Sequence, residues 1–293
     1  MLKESLLELI RRTSSELPKD IETAILAATK NETKGSRGRY AMDIICENLK
    51  LAKEKSQPIC QDTGSILFFV NAPIGFDQLE FMSAAKWATA EATAKGYLRQ
   101  NSVDSLTGKN TGNNLGPGAP HFHFEQVLPS PSSRLEVKLI LKGGGCENCG
   151  VQYSLPNKDL GAERSIDGTK RCILDAVLKA QGKGCGPGIL GVCIGGDRAT
   201  GYMHSKEQLL RKLDDKNEIK ALAKLEKEIV EISNASEIGP MGFGGATTLL
   251  GCKIGALNRL PASYFVSISY MCWADRRQGI VLDKKGMIER WIY

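Results

Sequence analysis

The chain contains no run of eighteen or more apolar residues, so no segment is long enough for a membrane-spanning helix. Positive charge is not massed either. Lys and Arg number 39 against 33 Asp and Glu, a formal charge of +6, and clusters such as Lys284-Lys285 are short. That balance leaves no electrostatic footprint for nucleic acid and suits a protein that collects small anions. The opening Met1-Leu2-Lys3-Glu4-Ser5-Leu6-Leu7-Glu8 carries acids among its leucines. It has no basic start, apolar middle or small-residue cleavage site, so the expectation is a cytoplasmic protein without a signal peptide. Internal repeats and low-complexity linkers are missing as well.

What is present fits a globular protein. With 293 residues, 42% hydrophobic and 25% charged, the chain can bury the core of one large or two smaller domains. Helical spacing of Leu6, Leu7 and Ile10, and of Ile21, Ile25 and Leu26, predicts helices across residues 3–55. The apolar run Ser65 to Val70 predicts a buried strand, and the Ala-rich Glu80 to Gly96 a helix. Two alternating stretches, 121–128 and 134–141, flank Pro129 to Ser133 and predict a hairpin. Further helices are expected at Thr169 to Ala180, His204 to Leu213 and Glu218 to Ile232, with strands at Ile189 to Ile194 and Ala262 to Ser269. Residues 107–120 form a polar, glycine-rich loop suited to the edge of a site. A helical start followed by mixed strands and helices makes an α/β or α+β domain.

Nine cysteines without an export signal read as reduced thiols, some buried and some ligating metal. Cys60, Cys185 and Cys272 share a context: each lies in a short loop rich in Gly or Pro, or next to one end of an apolar segment. Their wide separation is unlike the close spacing of ferredoxin-type or zinc-ribbon sites. Three thiolates gathered from three loops could hold three irons of a 4Fe–4S cluster, leaving the fourth as a Lewis acid. The alternative is that they are small buried residues. Cys60 opens the segment Cys60-Gln61-Asp62-Thr63-Gly64, which feeds the first strand, and loops on rigid scaffolds are where chemistry is placed. A rival reading attaches to His121, His123 and Glu125, which share one face of a strand. They would suit a zinc-dependent hydrolase, or simply the outward polar face of a half-buried strand.

Four motifs then fall in order: Cys60-Gln61-Asp62-Thr63-Gly64; Lys142-Gly143-Gly144-Gly145; Gly184-Cys185-Gly186-Pro187 with Gly191-Val192-Cys193-Ile194-Gly195-Gly196; and Cys272-Trp273-Ala274-Asp275-Arg276-Arg277. Together they resemble the iron–sulfur hydro-lyases, namely class I fumarate hydratase (its α subunit or N-terminal domain) and the α subunit of L(+)-tartrate dehydratase. The resemblance runs from about residue 20 to about residue 282 by motif placement. It implies the N-terminal-domain fold of class I fumarase, with a helical N-terminal region, as a single cluster-binding domain over residues 1–293. It implies a 4Fe–4S cluster on Cys60, Cys185 and Cys272. Gln61 and Asp62 would face the substrate, Arg99 would grip one carboxylate, and Gly143 and Gly144 would offer backbone N–H groups to the other. Asp62 could orient water or substrate or move a proton. The reaction implied is hydration and dehydration of a small dicarboxylate, fumarate and malate as in the tricarboxylic acid cycle, or L-tartrate or a mesaconate-type substrate.

In the family the proton-handling base comes from a second domain. No such domain is expected here, so the resemblance implies an α subunit in a hetero-oligomer with a β subunit. Three departures stand out. One proline rather than two follows the second thiol, at Cys185-Gly186-Pro187; Leu260 replaces a histidine twelve residues before the third; and Cys146-Glu147-Asn148-Cys149 adds a Cys-x-x-Cys pair, which is taken as a non-ligand because one pair is an incomplete zinc site.

Overall fold

A computed structural model of the chain describes residues 1–128 and 134–293. The loop expected at 129–133 lies outside the described residues. In chain order the elements are α1 (Leu2–Ser15), α2 (Lys19–Asn31), α3 (Arg37–Lys55), β1 (Ser65–Ala72), α4 (Gln78–Ala94), β2 (His121–Gln126), β3 (Leu135–Lys142), a one-turn α5 (Gly144–Asn148), β4 (Val151–Ser154), α6 (Ile166–Ala180), β5 (Gly188–Ile194), α7 (Arg198–Gln208), α8 (Lys220–Ala235), β6 (Leu249–Ala256), β7 (Phe265–Met271), β8 (Arg277–Leu282) and β9 (Ile288–Trp291). The mixed helix-and-strand architecture with a helical N-terminal region is as the sequence predicts. The chain divides into two compact units: Met1–Lys19, Glu47–Gly144 and Ala274–Tyr293 form one, and Asp20–Cys46 and Gly145–Trp273 the other. Both are assembled from non-contiguous segments, so no composition shift along the chain marks them.

The first unit is built on a five-stranded sheet of order β2-β1-β3-β8-β9. β1 lies inside it, its apolar run from Ile66 to Val70 buried. The hairpin expected between β2 and β3 does not form. β1 sits between them, parallel to β2 and antiparallel to β3. The reason is the crossover through α4: a parallel partner needs a long connection, and residues 73–120 supply it. Asp77 starts α4 by accepting the Glu80 N–H at 2.9 Å, the usual N-cap bond. The small face of α4, Ala84, Ala85, Ala88 and Ala92, and the Leu6, Leu9 and Ile10 face of α1 are buried in one cluster with the sheet. Phe68 is the hinge of this core. Its ring stacks on Phe122 at 5.4 Å and meets Phe81 edge-on at 6.1 Å.

The second unit carries a four-stranded sheet of order β4-β7-β5-β6. β5 is buried throughout, between parallel β6 and antiparallel β7. Ile173 and Val177 of α6 and Ile229 of α8 pack with Leu190, Val192 and Ile268 of the sheet. Ser165 caps α6 through the Gly168 N–H at 3.0 Å, and Asp197 closes a capping box on α7.

Phe68→Ala should destabilise the first unit by about 3–5 kcal/mol, as an aromatic deletion in a packed core does. Urea unfolding followed by tryptophan fluorescence measures this; a loss below about 1 kcal/mol would show that the stacked rings contribute little.

Candidate active site

The loop between α3 and β1 is tied down at its start. The Ile59 N–H donates to Ser14 O at 2.9 Å, and Asn48 Nδ2 donates to Ile59 O at 2.9 Å. Beyond the half-buried Cys60 and the exposed Gln61, Asp62 turns its carboxylate inward to three donors. Oδ1 accepts from the Gly64 N–H at 2.9 Å and from Asn101 Nδ2 at 2.6 Å, and Oδ2 accepts from the Gly144 N–H at 2.6 Å. Hydrogen bonds to a charged acceptor contribute about 1.5–3 kcal/mol each, so this arrangement fixes the side chain. It requires a glycine at 64. Gly64 has φ +76°, and a Cβ there would stand 2.4 Å from the Lys142 carbonyl. The end of β3 therefore runs directly against the loop, and Gly143 and Gly144 arrive beside Asp62. A Cβ on Gly143 would stand 3.0 Å from Asp62 Oδ2, so the missing side chain leaves a cradle.

Arg99 is brought to the same loop through its backbone. Thr63, 2% exposed, donates from Oγ1 to Arg99 O at 2.7 Å and accepts from the Arg99 N–H at 3.0 Å. Asn114 completes the clamp. Its Nδ2 donates to Arg99 O at 2.8 Å and to Thr93 Oγ1 at 2.9 Å, and its Oδ1 accepts from the Asn101 N–H at 2.8 Å. The Arg99 side chain itself is exposed. Asp62, Gly64, Asn101, Asn114, His121 and Gly144 line a cavity of about 230 Å³. Four of the expected residues, Asp62, Arg99, Gly143 and Gly144, thus belong to one neighbourhood. Asn101, Asn114 and His121 are additions. The 107–120 loop does edge the site, but nothing in its composition singles out Asn114. His121 carries a signal only as part of His-x-His.

The thiols sort by environment. Burial raises Cys172 to about 11 and Cys193 to about 12, and raises Cys252 further still, which is the behaviour of inert core thiols. The Cys46 sulfur lies 3.5 Å from Thr29 Oγ1. In the second unit, exposed Cys185 and buried Cys272 are joined: the Trp273 N–H donates to Cys185 O at 3.3 Å. Cys185 has left-handed backbone, φ 51° and ψ 58°. The glycines around it close on Tyr270, where a Cβ on Gly184 or Gly188 would meet the ring at 2.2 Å or the hydroxyl at 2.4 Å. The Tyr270 phenol is pushed well above its usual range, by burial first and then by the thiols of Cys272, Cys146, Cys149 and Cys185. The Cys-x-x-Cys pair therefore shares this neighbourhood.

Among the described residues no group of three or more His, Cys, Asp or Glu side chains is gathered to hold a metal ion. A single zinc needs its ligands on one atom, so the reading of His121, His123 and Glu125 as a zinc site has no ligand set. The His123 ring instead stacks on Phe69 at 5.0 Å. A 4Fe–4S cluster is less demanding, because each thiolate binds its own iron. Soft, exposed Cys185 beside Cys272, in a loop pared to glycine, is a donor set of the right chemistry for it.

The result is a mixed α/β protein with a cavity built around a fixed carboxylate and a glycine corner. A family model described as fumarate hydratase (fumerase) matches residues 3–281, and the chain belongs to this family of hydro-lyases. It is 51% identical over 296 residues to a putative class I fumarate hydratase of Geobacillus stearothermophilus, covering 100% of this chain and 57% of that protein. It is 34% identical to a putative L(+)-tartrate dehydratase subunit alpha of Methanocaldococcus jannaschii, covering 97% of this chain and 99% of that one. To the L(+)-tartrate dehydratase subunit alpha of Escherichia coli K12 it is 30% identical, covering 90% and 85%. The chain thus spans little more than half the length of the Geobacillus relative and most of the length of the two subunits.

Left-handed backbone costs a non-glycine residue about 1 kcal/mol. Cys185→Gly should therefore leave thermal stability unchanged or raise it by about that amount. Measured on the metal-free chain, so that loss of a bound cluster does not enter, a clear fall in the unfolding temperature would mean that the thiol packs for stability.

Proposed function

We propose that this chain is the cluster-bearing component of a hydro-lyase that reversibly adds water to a small dicarboxylate, converting fumarate to malate. The observation that carries the reading is the meeting of Asp62, Asn101 and the Gly143-Gly144 corner at one cavity, in a chain of the fumarate hydratase family. Cys60, Cys185 and Cys272 are the proposed ligands of a 4Fe–4S cluster. Bound there, the cluster would supply an open iron as a Lewis acid toward the substrate hydroxyl and carboxylate.

The remaining work falls to the chain's own groups. Each oxygen of the Asp62 carboxylate already takes at least one N–H donor. Its spare lone pairs can hold the proton of a water or of a substrate hydroxyl. Gln61, exposed beside it, can donate or accept at the same place. The Gly144 N–H is given to Asp62 in this state, so a substrate carboxylate arriving at the corner competes with Asp62 for that donor. Exposed Arg99, its backbone clamped on both sides, can meet a carboxylate with two parallel N–H bonds. A β subunit would bring the base that takes the proton from the neighbouring carbon, making the working enzyme a hetero-oligomer. The nine cysteines form no disulfide, which suits the cytoplasm, and among the described residues no helix is long and apolar enough to cross a membrane.

A second reading is the same chemistry on L-tartrate, favoured by the two alpha-subunit relatives that this chain covers almost fully or for the most part; a mesaconate-type substrate is the third. Purified without oxygen, the chain should be brown and carry about four irons. Cys185→Gly should fold and lose the cluster. Turnover should be negligible for the chain alone and appear with the β subunit, with fumarate, tartrate and mesaconate assayed side by side. A colourless, iron-free protein after anaerobic reconstitution would sink the reading, as would full activity from Cys185→Gly.

A further inference from the structure

Arg276 belongs to the motif Cys272 to Arg277, but neither the cavity nor the thiols account for it. It is 1% exposed, and its Nε has no hydrogen-bond partner among the described residues. A buried cation without a counter-charge is costly, and such a group persists where something else needs the charge. Its neighbour Arg277 has an acid at hand, with Asp275 3.5 Å away. Arg276 is aimed elsewhere. Its carbonyl accepts the Leu141 N–H at 2.9 Å, which places it alongside the end of β3, and its Nη2 lies 3.9 Å from the Cβ position of Gly143. Asp62 Oδ2 lies 3.0 Å from that same point. The guanidinium and the carboxylate thus border one empty space, the cradle left by the missing side chain of Gly143.

We propose that Arg276 is a positioning residue of the carboxylate cradle: its buried guanidinium steadies Asp62 and the Gly143-Gly144 backbone and favours an anionic carboxylate ligand there. Behind the glycine corner, the charge offsets part of the repulsion that a carboxylate entering beside Asp62 would meet. At 1% exposure it does so with little of the screening that a surface charge meets. This rests on the reading of the cavity as a carboxylate site, but its test reads anion binding and not turnover.

The full chain, purified without oxygen, is titrated with succinate, an unreactive dicarboxylate, at constant ionic strength, and affinity is taken from the rise in unfolding temperature. Wild-type protein should be stabilised by succinate. Arg276→Gln should bind at least tenfold more weakly, and Arg276→Lys, which keeps the charge, should stay within about threefold of wild type. The unfolding temperatures without succinate need not follow that order, because a purely structural role would move stability and leave the affinity alone. Wild-type affinity in Arg276→Gln overturns the proposal, and so does equal weakening in the two variants. If Arg276→Gln does not fold, Arg276→Lys decides through its affinity, a drop of tenfold or more counting against the role of charge. A wild-type chain indifferent to succinate overturns it too, while the hydro-lyase reading still stands or falls on iron and on turnover with the β subunit.

Discussion

The three N–H groups donated to Asp62 set the geometry on which the site depends. One comes from its own loop, one from the turn after α4, and one from the start of α5. A carboxylate so held is not a surface acid that swings with solvent; it has a fixed direction. Its fixity demands that the loop pass against the end of β3, which only Gly64 allows. It also demands that the 99–101 turn be rigid, which Thr63 and Asn114 secure through the Arg99 backbone. These supports belong to the unit whose sheet has β1 at its heart, so the precision of a loop is inherited from a buried strand.

How much of this could be read beforehand depends on what kind of signal each part leaves. Cys60 to Gly64 announces itself because thiol, carboxylate and glycine stand in five consecutive residues ahead of an apolar run. Asn114 leaves no such trace. Its left-handed φ of 59° and its bonds to residues 93, 99 and 101 exist only once the chain has folded. The hairpin expectation failed because alternation tells that a segment is a strand and not which strand it meets. The choice was made by the crossover through α4, which put β2 on one side of β1 and left β3 the other. β8 leaves little trace in the sequence for another reason. It begins with Arg277 and Gln278, both fully or nearly fully buried, and a search for apolar runs passes over a strand that starts with a cation. β6 is broken up by Gly251, Lys253 and Gly255, though Lys253 is buried on a 2.6 Å ion pair with Asp215.

The thiols show the same division between composition and environment. Counting nine cysteines cannot separate inert sulfur from reactive sulfur; burial can. Cys172, Cys193 and Cys252 lie in the core, with burial holding the proton on sulfur. Cys185 is held outward by a backbone conformation that an ordinary packing residue has no cause to adopt. Strain of that kind is kept where surrounding structure imposes it, here the Tyr270 ring against the flanking glycines.

Under the proposed function, discrimination among dicarboxylates would turn on the hydrogen-bonding groups that line the cavity. Tartrate differs from malate by a hydroxyl. A pocket built to hydrogen-bond a hydroxyl penalises the ligand that lacks it far more than an apolar pocket rejects the ligand that has it, because the pocket's own polar groups are left unpaired. Asn101 and Asn114 are already committed, the first to Asp62 and the second to Arg99 O and Thr93. Ser102 and His121 also line the cavity. Under the proposed function, Arg99 and the glycine corner offer what any dicarboxylate satisfies, so they do not by themselves separate one substrate from another.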